Sequence, residues 1–440
     1  MTSMLPILTI LFSCTTDKTN DTSKVERFLP TMPISECGLP AYEFLPTEDM
    51  GALLSSDKRE DLSLDKEALT TLLDNFELPL PPPENGIETY YIEYQSQDKG
   101  QPSNGTGMII LPENTTEAPV LVWLHPTMGF NDECSPTATG VIGAAYPAIF
   151  ASLGFIVVAP DYIGMRGWTG ESEDLHAYAS AEATAIFSID SLRALPNLLS
   201  DYNKDMMWND QEIILWGVSE GGFAALATDR YMPHYAPEFT TLTTVASTPV
   251  TDVFALVQHG VSEFSDTSAG VLGVALTLNQ WYEANLDLET ILQSEFTSIE
   301  QSMFESCDDF DDLDNVNEIS QVFQQSFING ILADDGSTAP WNCIFKDNSL
   351  LTKVPHIRTA PTMIVTAEFD DLAWAPPVHA DIPVLCEEGY EIVHRQCAQA
   401  GHVAGSLDSL GEQWAWIQAR LNKETVSNTC VVAEPISCGE

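Results

Sequence analysis

Basic residues are scarce in this chain. Its 440 residues carry 17 Lys and Arg against 65 Asp and Glu, a net charge of −48. So negative a surface repels phosphate backbones and anionic headgroups, which excludes nucleic acid as a main partner. The excess reads as a solubility adaptation, not a binding device. Long apolar runs are lacking near the start as well. Met4–Phe12 (MLPILTILF) is only about half of the ~20 residues that a membrane-spanning helix needs. No two cysteines stand at Cys-x-x-Cys spacing, so the usual mark of a zinc cluster is missing. Apolar residues are not scarce. At 44% they are ordinary for a folded globule, so the charge does not imply disorder. The length fits one large enzyme domain with an insertion, or two domains.

Met4–Phe12 does have the length of a signal peptide's apolar region. It runs into Leu11, Phe12, Ser13 and Cys14, which resembles the bacterial lipoprotein box, where a small residue precedes the lipidated cysteine. No Lys or Arg precedes Cys14, a departure from the charged start of most signals. Cleavage without lipidation and an ordinary buried Cys14 are the alternatives. Residues 15–40 are rich in Thr, Asp and Ser, then carry Pro30, Pro33 and Pro40; this suits a tether. Export would permit disulfides, and the nine cysteines less Cys14 leave an even number. Short loops suggest Cys386 with Cys397 and Cys430 with Cys438, leaving Cys37, Cys134, Cys307 and Cys343.

From about residue 88 the chain alternates short apolar runs with helical stretches. Thr89–Tyr94 and Gly107–Leu111 read as strands. Val120–Leu124, Phe155–Ala159, Ile213–Trp216, Thr244–Ser247 and Thr362–Thr366 are runs expected of strands buried on both faces. Helical stretches such as Ser180–Leu199 separate several of them. This predicts an α/β fold, a mostly parallel sheet covered by helices on both faces. Residues 250–345 break the rhythm with Gly-spaced apolar helices and the acidic run Asp308–Asp314, and read as an inserted cap. The predicted organisation is a leader over 1–14, a linker over 15–40, a core over 41–249 and 346–425, the cap over 250–345, and a tail over 426–440.

Chemistry concentrates on the turns after the strands. Gly217, Val218, Ser219, Glu220 and Gly221 follow the strand Ile213–Trp216 and precede a helical stretch. This is G-x-S-x-G in its strand–turn–helix setting. The glycines relieve crowding in a sharp turn that exposes the serine hydroxyl. The Glu220 N–H then points toward a bound carbonyl at a helix N-terminus, which favours developing negative charge. A serine hydroxyl needs a base oriented by an acid. Glu368, Asp370 and Asp371 follow the strand Thr362–Thr366, with Asp370 preferred. His402 lies in the small-residue loop Gln399–Gly405, before a helix expected over Ser406–Leu421. A second oxyanion N–H must come from the loop after Val120–Leu124. Pro126 has none, so Thr127 or Met128 supplies it; Thr127 is preferred because its hydroxyl can assist.

These residues place the chain among sequences similar to α/β-hydrolases, and more narrowly to the secreted lipase/esterase group. That group carries His-Gly-Thr-x-Gly followed by Cys-x-Pro, here His125, Pro126, Thr127, Met128, Gly129 and then Cys134, Ser135, Pro136. It also carries Ala-Pro-Asp-Tyr-x-Gly, here Ala159 to Gly164. The resemblance spans roughly residues 88–250 and 345–422, not the cap or the termini. It implies an α/β-hydrolase fold, a preference for lipid or small-molecule esters, and a supporting role for Asp161 in the loop above.

Asp201, Asn203, Asp205, Asn209 and Glu212 match oxygen-ligand positions of a calcium loop. Met206 stands where that loop needs glycine, and the segment lies between a helix and a strand, so solvated acids are the plainer reading. No cofactor is expected for the chemistry, with structural Ca²⁺ the one metal candidate. The sequence therefore points to an exported serine ester hydrolase with Ser219, His402 and Asp370 as its triad. A peptidase of the same fold and a catalytically silent surface-binding protein are the alternatives. If Cys14 carries a lipid, Cys14→Ala moves the protein from the membrane fraction to the soluble one with its specific activity unchanged; unaltered fractionation refutes the anchor.

Overall fold

A computed structural model describes Cys37, Leu39 and residues 42–439, except 74–77, 171, 173–174, 285, 299–304, 308–312, 314–315, 352–353 and 358–359. Cys14 and all of the acidic run but Leu313 lie outside the described residues.

The strands are β1 (Leu53–Lys58), β2 (Ile87–Asp98), β3 (Gln101–Pro112), β4 (Val120–Leu124), β5 (Ile156–Pro160), β6 (Ile213–Val218), β7 (Thr241–Ser247), β8 (Thr362–Ala367) and β9 (Ile392–Cys397). They form one nine-stranded sheet in the order β1-β2-β3-β5-β4-β6-β7-β8-β9. β1, β2 and β3 pair antiparallel, as do β3 and β5. All pairs from β5 through β9 are parallel. The carboxyl ends of β4, β6, β8 and β9 therefore open on one edge, where an α/β sheet places its site.

Pleating divides the core. Val120, Val122 and Leu124 of β4 join a cluster with helices α4 (Ala181–Asp201) and α5 (Glu220–Tyr235). Leu121 and Trp123 face the other way, toward α3 (Val141–Ser152) and α12 (Leu410–Leu421). Strands covered on both faces must be apolar throughout, which is why the runs are legible in the sequence. The edge strands β1 (LLSSDK) and β9 (IVHRQC) carry mixed residues, and no apolar run announces them. The helix expected from Ser406 begins earlier, at His402, as α11 (His402–Asp408), and breaks at Ser409 before α12. Ser409 Oγ donates to the Gly405 carbonyl at 2.7 Å.

Between β7 and β8 run α6 (Val253–Ser262), α7 (Asp266–Trp281), α8 (Gln325–Ala333) and α9 (Trp341–Asp347). Their apolar residues Val257, Val271, Phe327 and Phe345 join the same cluster as α4 and α5. Cys37–Cys343 ties α9 to the N-terminal segment, and Cys134–Cys307 ties this region to the loop after β4.

The pairings suggested by short loops are not those formed. Cys386 bonds Cys430, and Cys397 bonds Cys438. Cys386 lies near the end of α10 (Ala375–Glu387), against the small cluster of Ile382 and Tyr390. Cys397 belongs to the cluster beneath α12. Eleven positions apart in the chain, the two thiols serve different hydrophobic clusters. The tail crosses to meet both. Cys430 N–H donates to Ile392 O at 2.7 Å, Ala433 N–H to His394 Nδ1 at 2.9 Å, and Ile436 N–H to Gln396 O at 3.0 Å. Val431 and Ile436 bridge Val393 and Cys397 in parallel register. The tail is thus a strap along the edge strand.

Asp161, after β5, is fully buried and braces the loop after β4. It accepts from the Thr137 N–H at 3.0 Å, from the Thr137 hydroxyl, and from Thr106 Oγ1 at 2.7 Å. Burial pushes its carboxyl up to about 7, against the pull of these donors.

Two outcomes follow. Non-reducing peptide mapping yields Cys386–Cys430 and Cys397–Cys438 fragments, and replacing both members of either pair by alanine costs about 2–4 kcal/mol of stability. Asp161 keeps a proton in the folded chain that the unfolded chain releases near its ordinary value. Its contribution is full below that value and is lost as pH rises toward about 7. In urea melts, the stability lead of the parent over Asp161→Asn therefore widens as pH falls from neutrality toward 4.

Candidate active site

The turn between β6 and α5 is set by two close approaches. A Cβ on Gly217 would sit 2.1 Å from the Gly221 carbonyl oxygen, and one on Gly221 would sit 2.0 Å from the Leu124 carbonyl oxygen. Only hydrogen fits at either position. Between them Ser219 adopts φ 59° and ψ −120°, a left-handed backbone that non-glycine residues avoid. Its N–H donates to Ser247 O at 2.8 Å, fixing the turn to β7.

His402, the first residue of α11, places Nε2 2.8 Å from Ser219 Oγ. Its Nδ1 lies 3.0 and 2.9 Å from the two oxygens of Asp370. Asp370 is buried and its Oδ1 accepts from the N–H groups of Leu372 and Ala373 at 3.1 and 2.8 Å. Three residues from three loops thus meet in one line, with Nδ1–H directed at the carboxylate and Nε2 facing the hydroxyl. The neighbouring acids are elsewhere. Asp371 is exposed, and its backbone carbonyl accepts from Thr267 N–H and Oγ1 at 3.1 and 2.7 Å. Glu368 is exposed and accepts from Gln399 N–H at 2.8 Å.

The Glu220 N–H opens α5, where helix geometry supplies no intrahelical acceptor. Thr127 is half-buried in the loop after β4, and its hydroxyl donates to Tyr178 Oη at 3.0 Å. That loop is also gripped by the segment beyond β5. Tyr162 Oη donates to His125 O at 3.2 Å, and His176 N–H to Phe130 O at 3.0 Å. The His125 ring is buried, which lowers its pKa to about 4 and keeps it neutral.

Several supports escape sequence reasoning. Gln413 of α12 is buried and accepts from Trp216 Nε1 at 2.8 Å while donating to Ser247 Oγ at 3.2 Å and Ser409 Oγ at 2.8 Å. It joins β6, β7 and α11 beneath the site. Trp374 stacks on His259 of α6 at 4.1 Å, holding the acid loop against the segment between β7 and β8. His176 bonds the Glu220 carboxyl across 44 positions. No spacing signals such partners; only the fold brings them together.

Two residues of the segment 201–212 are engaged in ion pairs. Lys204, which lies between two of the candidate calcium ligands, pairs with Glu88, and Glu212 pairs with Lys423 at 3.1 Å. Among the described residues, no group of three or more His, Cys, Asp or Glu side chains is placed to hold a metal ion.

Known proteins share this architecture. The esterase LipA from Xanthomonas oryzae superposes with a TM-score of 0.71 at 18% identity, covering 86% of this chain and 100% of that one. Candida antarctica lipase A in its closed state gives 0.68 at 13% identity, covering 93% and 89%. Both share the α/β-hydrolase fold. Lipase 6 of Candida albicans is 29% identical over 156 residues, a match that spans 33% of this chain and 31% of that protein. The secretory lipase model matches residues 135–428, and on that match the chain belongs to the secretory lipase family.

Proposed function

We propose that this protein is an exported serine hydrolase of carboxylic esters, working through an acyl-Ser219 intermediate. The observation that carries the reading is the continuous contact from Asp370 through His402 to Ser219. Family membership and the fold of known lipases and esterases support an ester substrate. Four disulfides and the family's secretory character support export.

In this mechanism Ser219 Oγ attacks the ester carbonyl carbon while His402 Nε2 takes its proton. Asp370 holds the ring by Nδ1–H and stabilises the imidazolium. The carbonyl oxygen gains charge and is met by the Glu220 N–H and the Thr127 N–H. As the intermediate collapses, the alcohol leaves with the proton from His402. Water, deprotonated by the same nitrogen, then attacks the acyl-serine, releasing the acid and restoring Ser219. A catalytically silent binding protein would have no use for the left-handed Ser219 backbone, a conformation that costs energy and points the hydroxyl outward.

A fluorophosphonate probe should label the parent and leave Ser219→Ala unmarked. With p-nitrophenyl esters, Ser219→Ala and His402→Ala each lower kcat by several orders of magnitude, and the double variant is little worse, because the triad acts as a unit. Asp370→Asn costs roughly 10⁴ by holding the ring in the wrong tautomer. Asp371→Asn stays near the parent. A crippled Asp371→Asn beside a mild Asp370→Asn would move the acid by one residue. A rate retained by Ser219→Ala would end the proposal.

A further inference from the structure

Glu220 brings a carboxyl group as well as a backbone N–H to the turn, and the carboxyl is buried. Its Oε1 is hydrogen-bonded to His176 Nε2, and both side chains are sealed from solvent, at 2% and 0% exposure. Its Oε2 is buried with no hydrogen-bond partner among the described residues.

The donors on His176 can be counted. Nδ1 lies 3.0 Å from the Ile163 carbonyl oxygen. A carbonyl only accepts, so Nδ1 carries a hydrogen. A neutral ring with its hydrogen there has a bare lone pair on Nε2. That lone pair cannot face an ionised carboxylate oxygen at hydrogen-bonding distance; one proton must lie between them. Whether it sits on nitrogen or oxygen, the pair has no net charge.

The other groups around Glu220 cannot offset a bare carboxylate. His125, on the loop after β4, is held neutral by burial and gives Nδ1–H to Pro126 O at 2.7 Å. Tyr162, after β5, gives its hydroxyl to His125 O and stacks between the two histidines, at 3.9 Å from His125 and 5.5 Å from His176. His402 belongs to the triad and faces Asp370.

We infer that His176 and Glu220 form a neutral, proton-sharing pair beside the oxyanion site, with His176 the positioning residue that keeps a bare carboxylate from opposing the charge that develops there. The inference rests on the reading of Ser219 as nucleophile. A fixed negative charge on the residue whose N–H binds the oxyanion would act in a water-poor site, where such repulsion is weakly screened. It would act on the transition state and leave the neutral bound ester almost untouched.

Three variants test this in ester hydrolysis. In Glu220→Gln the side-chain amide donates to Nε2 of the neutral ring, so this variant serves as the uncharged reference for the double variant below. His176→Ala strands the carboxylate, and kcat falls about 10- to 100-fold with KM little changed, short of the 10²–10³ seen when an oxyanion donor is lost. Adding Glu220→Gln to His176→Ala removes the charge and returns most of the rate. A double variant as slow as His176→Ala overturns the inference. If His176→Ala does not fold, ¹⁵N-histidine NMR of the intact protein decides. An exchange-protected downfield proton on the His176–Glu220 bond, absent in Glu220→Gln, is expected; its absence from the parent overturns the pair. Failure of the nucleophile reading is separately visible, since only that failure leaves Ser219→Ala active.

Discussion

The turn that carries Ser219 constrains everything around it. Its backbone passes so close to the carbonyls of Gly221 and Leu124 that neither Gly217 nor Gly221 can bear a side chain. The turn therefore cannot relax, and Ser219 stays in a left-handed conformation with its hydroxyl against His402. The rest of the molecule supplies what such a turn requires. β4 lies beside β6 to set the depth of the turn, β7 accepts the Ser219 N–H, and α5 starts at once to absorb the reversal.

Parallel pairing then does the gathering. Because β4, β6, β8 and β9 run the same way, loops from distant parts of the chain emerge side by side. Asp370 and His402 need no closeness in sequence to meet at 2.9 Å. What fixes their orientation is a layer below: Gln413 joins three elements under the histidine, while the N–H groups of Leu372 and Ala373 hold the acid. Buried polar groups satisfied in this way hold a site to one geometry.

The parts of this design that were legible in the sequence share one property. Their signal is local. A strand buried on both faces must be apolar at every position, so β4 through β8 could be found, and the glycines around Ser219 lie within five residues of one another. The edge strands were not legible, since half-exposed residues such as those of LLSSDK do not differ from a loop. Disulfide pairing was misread for a related reason. Loop length measures distance along the chain, but Cys386 and Cys397 pack into different clusters of the core. The partners of Glu220, Thr127 and Gln413 lie 44, 51 and up to 197 positions away, beyond the reach of any spacing rule.

The C-terminal strap has a bearing on how these molecules behave in company. β9 is the last strand of the sheet, and a bare edge offers its amide and carbonyl groups to any passing chain. Here Cys430 and Ile436 occupy part of that ladder, Ala433 N–H bonds the His394 ring between them, and two cross-links hold the tail there. The chain thus blocks its own sticky edge with its own tail. The cross-links do more than add stability: they keep the cover on an edge of the kind that, left bare, is a template for pairing with another chain.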